Sequence, residues 1–255
     1  MWSSDAILDA VHAALMQREE ALRLEQAVAG LDALDEVGLH PILESGITGA
    51  GFGVLREQPY PHEWKAGRRA RAAAGDEPLP QRRDRLRCDL VLTPGPGAVL
   101  GDSLENEKTA VAIRRRASGT LFESVAVEQT RDLEQLGPAG AIQPEDAYWL
   151  EVKVVAQYTF TSGVPGPNRT YASELTRGTI SDLAKLAADE RILHAGMLMV
   201  LFAADRETAE HDLNVVLHRV LDKELPIQSP LMRSLPIVER IGNSVCTACL
   251  IGVRA

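Results

Sequence analysis

The sequence predicts a mixed α/β fold of the α+β kind, a central mixed sheet flanked by helices with a β-hairpin at the C-terminus. Three observations predict it. Apolar residues repeat at helical spacing in three long segments. Short β-branched runs lie between them, including one continuously apolar run at 197–202 that suits a strand buried on both faces. The order is helix, strands, helix–strand–helix and hairpin, with no internal repeat, which reads as one domain over residues 1–255.

Each element has its own warrant. Residues 4–37 read as an N-terminal helical extension, with Ile7, Val11, Leu15 and Leu22 on one side and Ser4 or Asp5 able to cap it. A second helix spans 41–48, with Pro41 at an early position where proline is tolerated. Gly49, Gly51 and Gly53 break it, and 54–60 reads as a strand. Residues 61–84 are rich in Pro, Arg and Ala and read as a basic loop. Residues 85–93 form a strand that Pro94-Gly95-Pro96-Gly97 ends sharply. A polar insertion fills 98–147, with a helix near 120–136, and a strand follows at 148–155. Residues 161–168 read as a Gly/Pro loop. A helix over 171–190 carries the stripe Leu175, Thr179, Leu183 and Leu186. After the strand at 197–202, a helix over 207–223 turns Ala209, Leu213, Leu217 and Val220 inward. Runs at 235–241 and 244–253 make a hairpin around a tight Gly242-Asn243 turn.

The formal net charge of -9 gives no general attraction to nucleic acid or to anionic membrane. Locally the balance differs. Residues 65–87 hold Lys65, Arg68, Arg69, Arg71, Arg82, Arg83, Arg85 and Arg87 against Asp76, Glu77 and Asp84. Arginine pairs bidentately with phosphate, so this stretch reads either as a solvated loop or as a grip on a phosphate backbone. Arg114-Arg115-Arg116 carries the same two readings. Cys88, Cys246 and Cys249 imply no disulfide framework, and a cytoplasmic location is expected. The first residues lack a signal-peptide pattern, and no run approaches the ~20 apolar residues of a membrane span, so no membrane partner is expected.

Chemistry concentrates in Tyr148-Trp149-Leu150-Glu151-Val152-Lys153-Val154-Val155. Side chains alternate along a strand, so Glu151 and Lys153 share one face, about 7 Å apart. A charged pair on a β-branched ribbon conflicts with its local pattern, as functional sites do. The strand at 85–93 carries Asp89, expected to point opposite Cys88, Leu90 and Leu92. If the two strands pair, two carboxylates and one ammonium converge. Such a set, completed by water and phosphate oxygens, suits magnesium. The metal would polarise a phosphate, and the lysine would orient water or stabilise developing charge.

In Asp89 and Glu151-Val152-Lys153 the chain resembles the PD-(D/E)XK phosphodiesterase superfamily, the restriction-endonuclease-like fold. The resemblance spans residues 38–204 in element order. It implies a metal-dependent nuclease acting on nucleic acid, DNA first. Mg²⁺, with Mn²⁺ as substitute, would be held by Asp89, Glu151 and the Val152 carbonyl. Lys153 would position the attacking water. The family's helix acid falls on Glu44, with Glu57 in reserve. Nucleic-acid contacts fall on Arg68, Arg69, Arg82, Arg83, Arg177 and Lys185, and Glu174 also lies on the helix after the lysine strand. Two departures stand beside the match. Arg87-Cys88 replace the family's proline, and Asp89 and Glu151 are 62 positions apart, so the insertion must loop out without parting their strands.

Other readings stay open. The same fold serves as a catalytically silent nucleic-acid or protein-binding module, and residues 4–37 offer a homodimer contact for an assembly protein. Glu63-Trp64-Lys65 repeats the acid–lysine spacing without a flanking strand. Cys246 and Cys249 have half a zinc spacing, but fall on opposite faces of a strand and read as core. Cys88 also reads as core, facing away from Asp89. His194, His211 and His218 read as solvated or capping. Gly95–Gly101 lacks the dinucleotide spacing and a following helix.

Overall fold

In a computed structural model that describes residues 2–64, 85–136, 140–161 and 163–254, the chain opens with α1 (Ser4–Leu24) and α2 (Glu36–Gly49). Strands β1 (Gly53–Trp64) and β2 (Arg85–Thr93) follow, then α3 (Ser103–Ala117) and α4 (Glu123–Leu136). Next come β3 (Tyr148–Ala156), β4 (Tyr158–Thr161), β5 (Val164–Pro167), α5 (Tyr171–Ser173), a π-turn (Glu174–Gly178) and α6 (Thr179–Ala188). The chain ends with β6 (His194–Ala203), α7 (Arg206–Leu221), β7 (Leu231–Pro236) and β8 (Val245–Val253). Arg68, Arg69, Arg82 and Arg83 lie outside the described residues.

Six strands form one sheet in the order β1-β2-β3-β6-β8-β7, and β4 pairs only with β5. All neighbours are antiparallel except β3 and β6. Each sheet face buries its own core. On one face Ile7, Val11 and Leu15 of α1 and Leu39, Leu43 and Ile47 of α2 meet Leu90, Leu150, Val152, Leu198 and Val200. On the other, Leu183 and Leu186 of α6 and Leu213 and Val216 of α7 meet Trp149, Met197, Met199 and Leu201. Helices on both faces explain why β6 and β8 are apolar without alternation. Among the described residues no helix is long and apolar enough to cross a membrane.

The expected helix at 4–37 is two helices. Ser3, rather than Ser4 or Asp5, caps α1 by accepting from the Ala6 N–H at 3.2 Å. The helix ends at Leu24, and Gln26 turns left-handed with φ 51°. Gly30 then passes so close to its neighbours that a Cβ would stand 2.7 Å from Asp32 Oδ1 and 2.8 Å from Arg240 Nη1. Asp35 caps α2 by accepting from the Gly38 N–H at 2.8 Å, so α2 begins five residues before Pro41. Pro41 therefore sits inside the helix. Its missing N–H costs the Val37 carbonyl a partner, and Val37 is 69% exposed, so water can serve that carbonyl.

The insertion is a pair of helices rather than one. Asp102 caps α3, accepting from the Glu105 N–H at 3.3 Å, and a Leu100–Ile142 bridge closes the base of the pair. The arm leaves the sheet and returns, so β3 stays beside β2. The helix expected at 171–190 contains the π-turn. Thr176 and Thr179 donate their hydroxyls to the carbonyls of Ala172 and Leu175, both at 2.7 Å, and such back-bonding bends a helix. The loop expected at 161–168 is the β4–β5 hairpin, with Gly163 at φ 82°. At the C-terminus β7 and β8 do pair, but residues 237–244 join them instead of a tight turn. Asn243 is a buried anchor there: its amide donates to Asp32 Oδ2 and to the Tyr158 carbonyl, both at 3.0 Å, and its side-chain oxygen accepts from the Tyr158 N–H at 3.1 Å.

Candidate functional site

The site lies where the β2–β3 ladder ends. The register pairs Leu92 with Tyr148, Val91 with Trp149 and Leu90 with Leu150. One step further sets Asp89 opposite Glu151, and directly opposed residues share a face. There the backbone ladder gives way to a side chain, since Asp89 Oδ2 accepts from the Val152 N–H at 2.8 Å. The N–H and C=O of one extended residue point to the same side of the strand. The Val152 carbonyl therefore faces the same gap.

Asp89 and Glu151 face one another across the ladder, close enough for Asp89 to act on the Glu151 carboxyl. Glu151 is only 4% exposed. The hydroxyl of Tyr60, on β1, donates to Glu151 Oε1, and the Lys185 ammonium lies 4.0 Å from the same oxygen. Burial first, and then Asp89, push the Glu151 carboxyl up to about 9, against the smaller opposing pull of Tyr60 and Lys185. At neutral pH, with nothing bound, Glu151 is therefore held in its protonated form.

Lys153 stands on the same face, its Nζ 3.2 Å from Glu36 Oε2 at the first turn of α2. Burial lowers the lysine, but Glu36, Asp182 and Asp89 together outweigh it, so Lys153 is held above its ordinary value and stays charged. Burial raises Glu36 despite the lysine beside it. Gly178, in the π-turn, lies against the lysine stem: a Cβ there would stand 3.1 Å from Lys153 Cε. Lys185 of α6 is 2.5 Å from Asp182. It too is raised, because Asp182 and Glu151 outweigh its burial.

The other expected residues fall as follows. Arg177 is exposed on the π-turn, beside Gly178. Glu174 binds Asn168 and Thr170 instead of the cleft. Glu44 is not beside Lys153. It pairs with Arg56 of β1, about 12 Å further along α2 than Glu36, because the helix starts earlier than its proline suggests. The helix acid that meets the lysine is Glu36. Glu57 is exposed, has φ 51° and offers its carbonyl to Arg87 Nη1 at 3.2 Å. Cys88 does not face away from the site. It packs in the Trp149 core with its thiol donating to the Leu90 carbonyl at 3.4 Å, and burial pushes that thiol up. The left-handed Glu57 sits across from Asp89 in the β1–β2 register, and a local twist there upsets simple alternation. Cys246 and Cys249 are buried in opposite cores, as their spacing predicts.

Two further residues were not singled out from the sequence. Tyr60 is fully buried and stacks on Trp149 with ring centroids 5.8 Å apart. Arg85, counted above within a basic stretch, is buried at the start of β2. Its Nε donates to the Tyr60 carbonyl at 2.9 Å and its Nη1 grips Asp102 at 2.7 and 2.8 Å. No local pattern announces either role, since the partners are 91 and 17 positions away.

Among the described residues no group of three or more His, Cys, Asp or Glu side chains is placed to hold a metal ion. A divalent cation at this site would instead take the Asp89 and Glu151 carboxylates and the Val152 carbonyl, leaving positions for water and phosphate. That donor set suits magnesium, which keeps several waters. The charges also fit: Asp89, Glu151, Glu36 and Asp182 face Lys153 and Lys185, an excess of two negative charges when all are ionised. Compared with models of known families, with curated proteins and with solved structures, the chain matches none.

Proposed function

We propose that this chain is a Mg²⁺-dependent nuclease of the PD-(D/E)XK type, hydrolysing phosphodiester bonds in nucleic acid, with DNA as its first substrate. The observation that carries the reading is the placement of Asp89 opposite the buried Glu151 at an opened strand ladder, with Lys153 on the same face. A buried carboxyl facing a half-buried one repels it once both are ionised, and either a proton or a cation relieves them.

Asp89, Glu151 and the Val152 carbonyl would hold the ion. When bound, it would polarise the phosphate and make water a better nucleophile. The remaining work falls to the chain's own groups. Lys153, held charged by Glu36, offers N–H donors to the attacking water and to phosphate oxygens as charge develops on them. Being protonated, it acts as a donor and not as a general base. Tyr60 fixes the Glu151 carboxyl in place, and Lys185 adds positive charge at the edge of the pair.

Plasmid and oligonucleotide cleavage in Mg²⁺ tests the reading. Alanine at Asp89, Glu151 or Lys153 is expected to cut the rate by at least ~100-fold, with the circular-dichroism spectrum unchanged. Full cleavage by these variants, or a wild-type chain that cuts neither DNA nor RNA and takes up neither Mg²⁺ nor Mn²⁺, overturns it.

A further inference from the structure

Away from the cleft, α3 and α4 pack on one another and share no comparable contact with the sheet or the other helices among the described residues. They form an arm. Its root is the Arg85–Asp102 pair, and Arg85 also holds the Tyr60 backbone behind Glu151. Its tip, between the two helices, exposes Leu121 at 97% and Phe122 at 71%. Exposed large apolar side chains at a turn have no packing role in the free chain. Just before them, the last turn of α3 carries Arg114, Arg115 and Arg116. Successive helical residues project about 100° apart, so the exposed Arg115 and Arg116 leave the helix end on different sides. Glu123, at the start of α4, accepts from the Gly119 N–H at 3.1 Å.

We infer that the arm tip is a second nucleic-acid contact: Arg115 and Arg116 bind backbone phosphates and Leu121 and Phe122 wedge against bases. An apolar wedge flanked by cations is how many proteins grip a deformed groove. The inference rests on the proposed nuclease reading and assigns its substrate a length. The 15 residues of α3 carry the tip about 22 Å from Asp102, equivalent to six or seven base pairs. One ligand that runs from the root to the tip is therefore a phosphate polymer of about that span, and Arg85 at the root also holds the Tyr60 backbone.

The test is equilibrium binding of a fluorescent DNA duplex of about 30 base pairs, three helical turns, to the full chain in EDTA across a salt series. Two double variants are compared with the wild type, Arg115→Ala with Arg116→Ala, and Leu121→Ser with Phe122→Ser. All four residues are exposed, so the melting temperature serves as the folding control. Losing two phosphate contacts is expected to lower the slope of log K against log salt by about 1.8. The apolar pair is expected to weaken binding about tenfold with the slope unchanged. Wild-type affinity and slope in both variants would overturn the arm while leaving the nuclease reading standing. A wild-type chain that binds no DNA in the assay overturns the arm, and the nuclease reading is then decided by the cleavage and metal-uptake assays. Binding to phosphatidylserine vesicles that depends on the same four residues, with DNA binding unaffected by them, overturns the inference in favour of a membrane contact.

Discussion

Glu151 is the residue on which both folding and chemistry turn. Its folded-state carboxyl sits near 9, far above the ordinary value of 4.5. A group raised on folding contributes stability that is full below its unfolded value and is lost as pH climbs through the folded one. The metal-free chain is therefore expected to lose melting temperature steadily between about pH 4.5 and pH 9. Glu151→Gln should flatten that decline and, at pH 9, stabilise the chain by on the order of 1–3 kcal/mol, since no buried charge then forms. Thermal melts across pH check this, and a wild-type profile that rises with pH would contradict it. A second contrast belongs to the two helix acids. Glu36→Gln removes the carboxylate that meets Lys153 and should lower cleavage about tenfold or more. Glu44→Gln breaks an exposed pair with Arg56, worth at most ~1 kcal/mol, and should leave cleavage unchanged. Rate assays on both variants decide, and equal losses would show that the wrong helix turn has been assigned.

At the scale of elements, the π-turn and β2 set the site's geometry. Gly178 has ordinary helical angles, φ -58° and ψ -54°, so alanine there gains up to ~1 kcal/mol in helix propensity. Its new methyl would press on Lys153 Cε. Gly178→Ala should thus keep or raise the melting temperature while kcat falls, with KM little altered. A stable variant with wild-type kcat would remove the π-turn from the mechanism. Arg85 is the opposite case. Arg85→Ala strips Asp102 and the Tyr60 carbonyl of a nearly buried partner and should cost about 3 kcal/mol in chemical denaturation. A cost below ~0.5 kcal/mol would show the clamp to be incidental.

Across the whole molecule, what was legible in the chain was whatever rests on local periodicity. The alternation around Glu151 and the charge of Asp89 are enough to pair β2 with β3 and bring their acids together. The apolar run of β6 and the stripes of α6 and α7 announce strand and helices on both faces. What was not legible depends on partners distant in sequence or on backbone that breaks its own period. Pro41 obscured the start of α2, so Glu44 displaced Glu36 as the expected acid. The left-handed Glu57 hid the true side of Cys88. The helix break at 25–35 is set by Gln26, by the tight passage at Gly30 and by the Asp35 cap, each a single-residue signal inside an otherwise helical stretch. The separation of Asp89 from Glu151 proved harmless because α3 and α4 leave and return at one bridged base.

The most direct test is a Mn²⁺ titration by calorimetry near pH 7, repeated in buffers of different ionisation heat. Glu151, protonated when metal-free, must release its proton as the cation enters. The expected result is saturable binding by the wild type with release of about one proton per ion, and loss of both in Glu151→Gln. No Mn²⁺ uptake by the wild type, or an unchanged isotherm in Glu151→Gln, would contradict a metal site at Asp89 and Glu151.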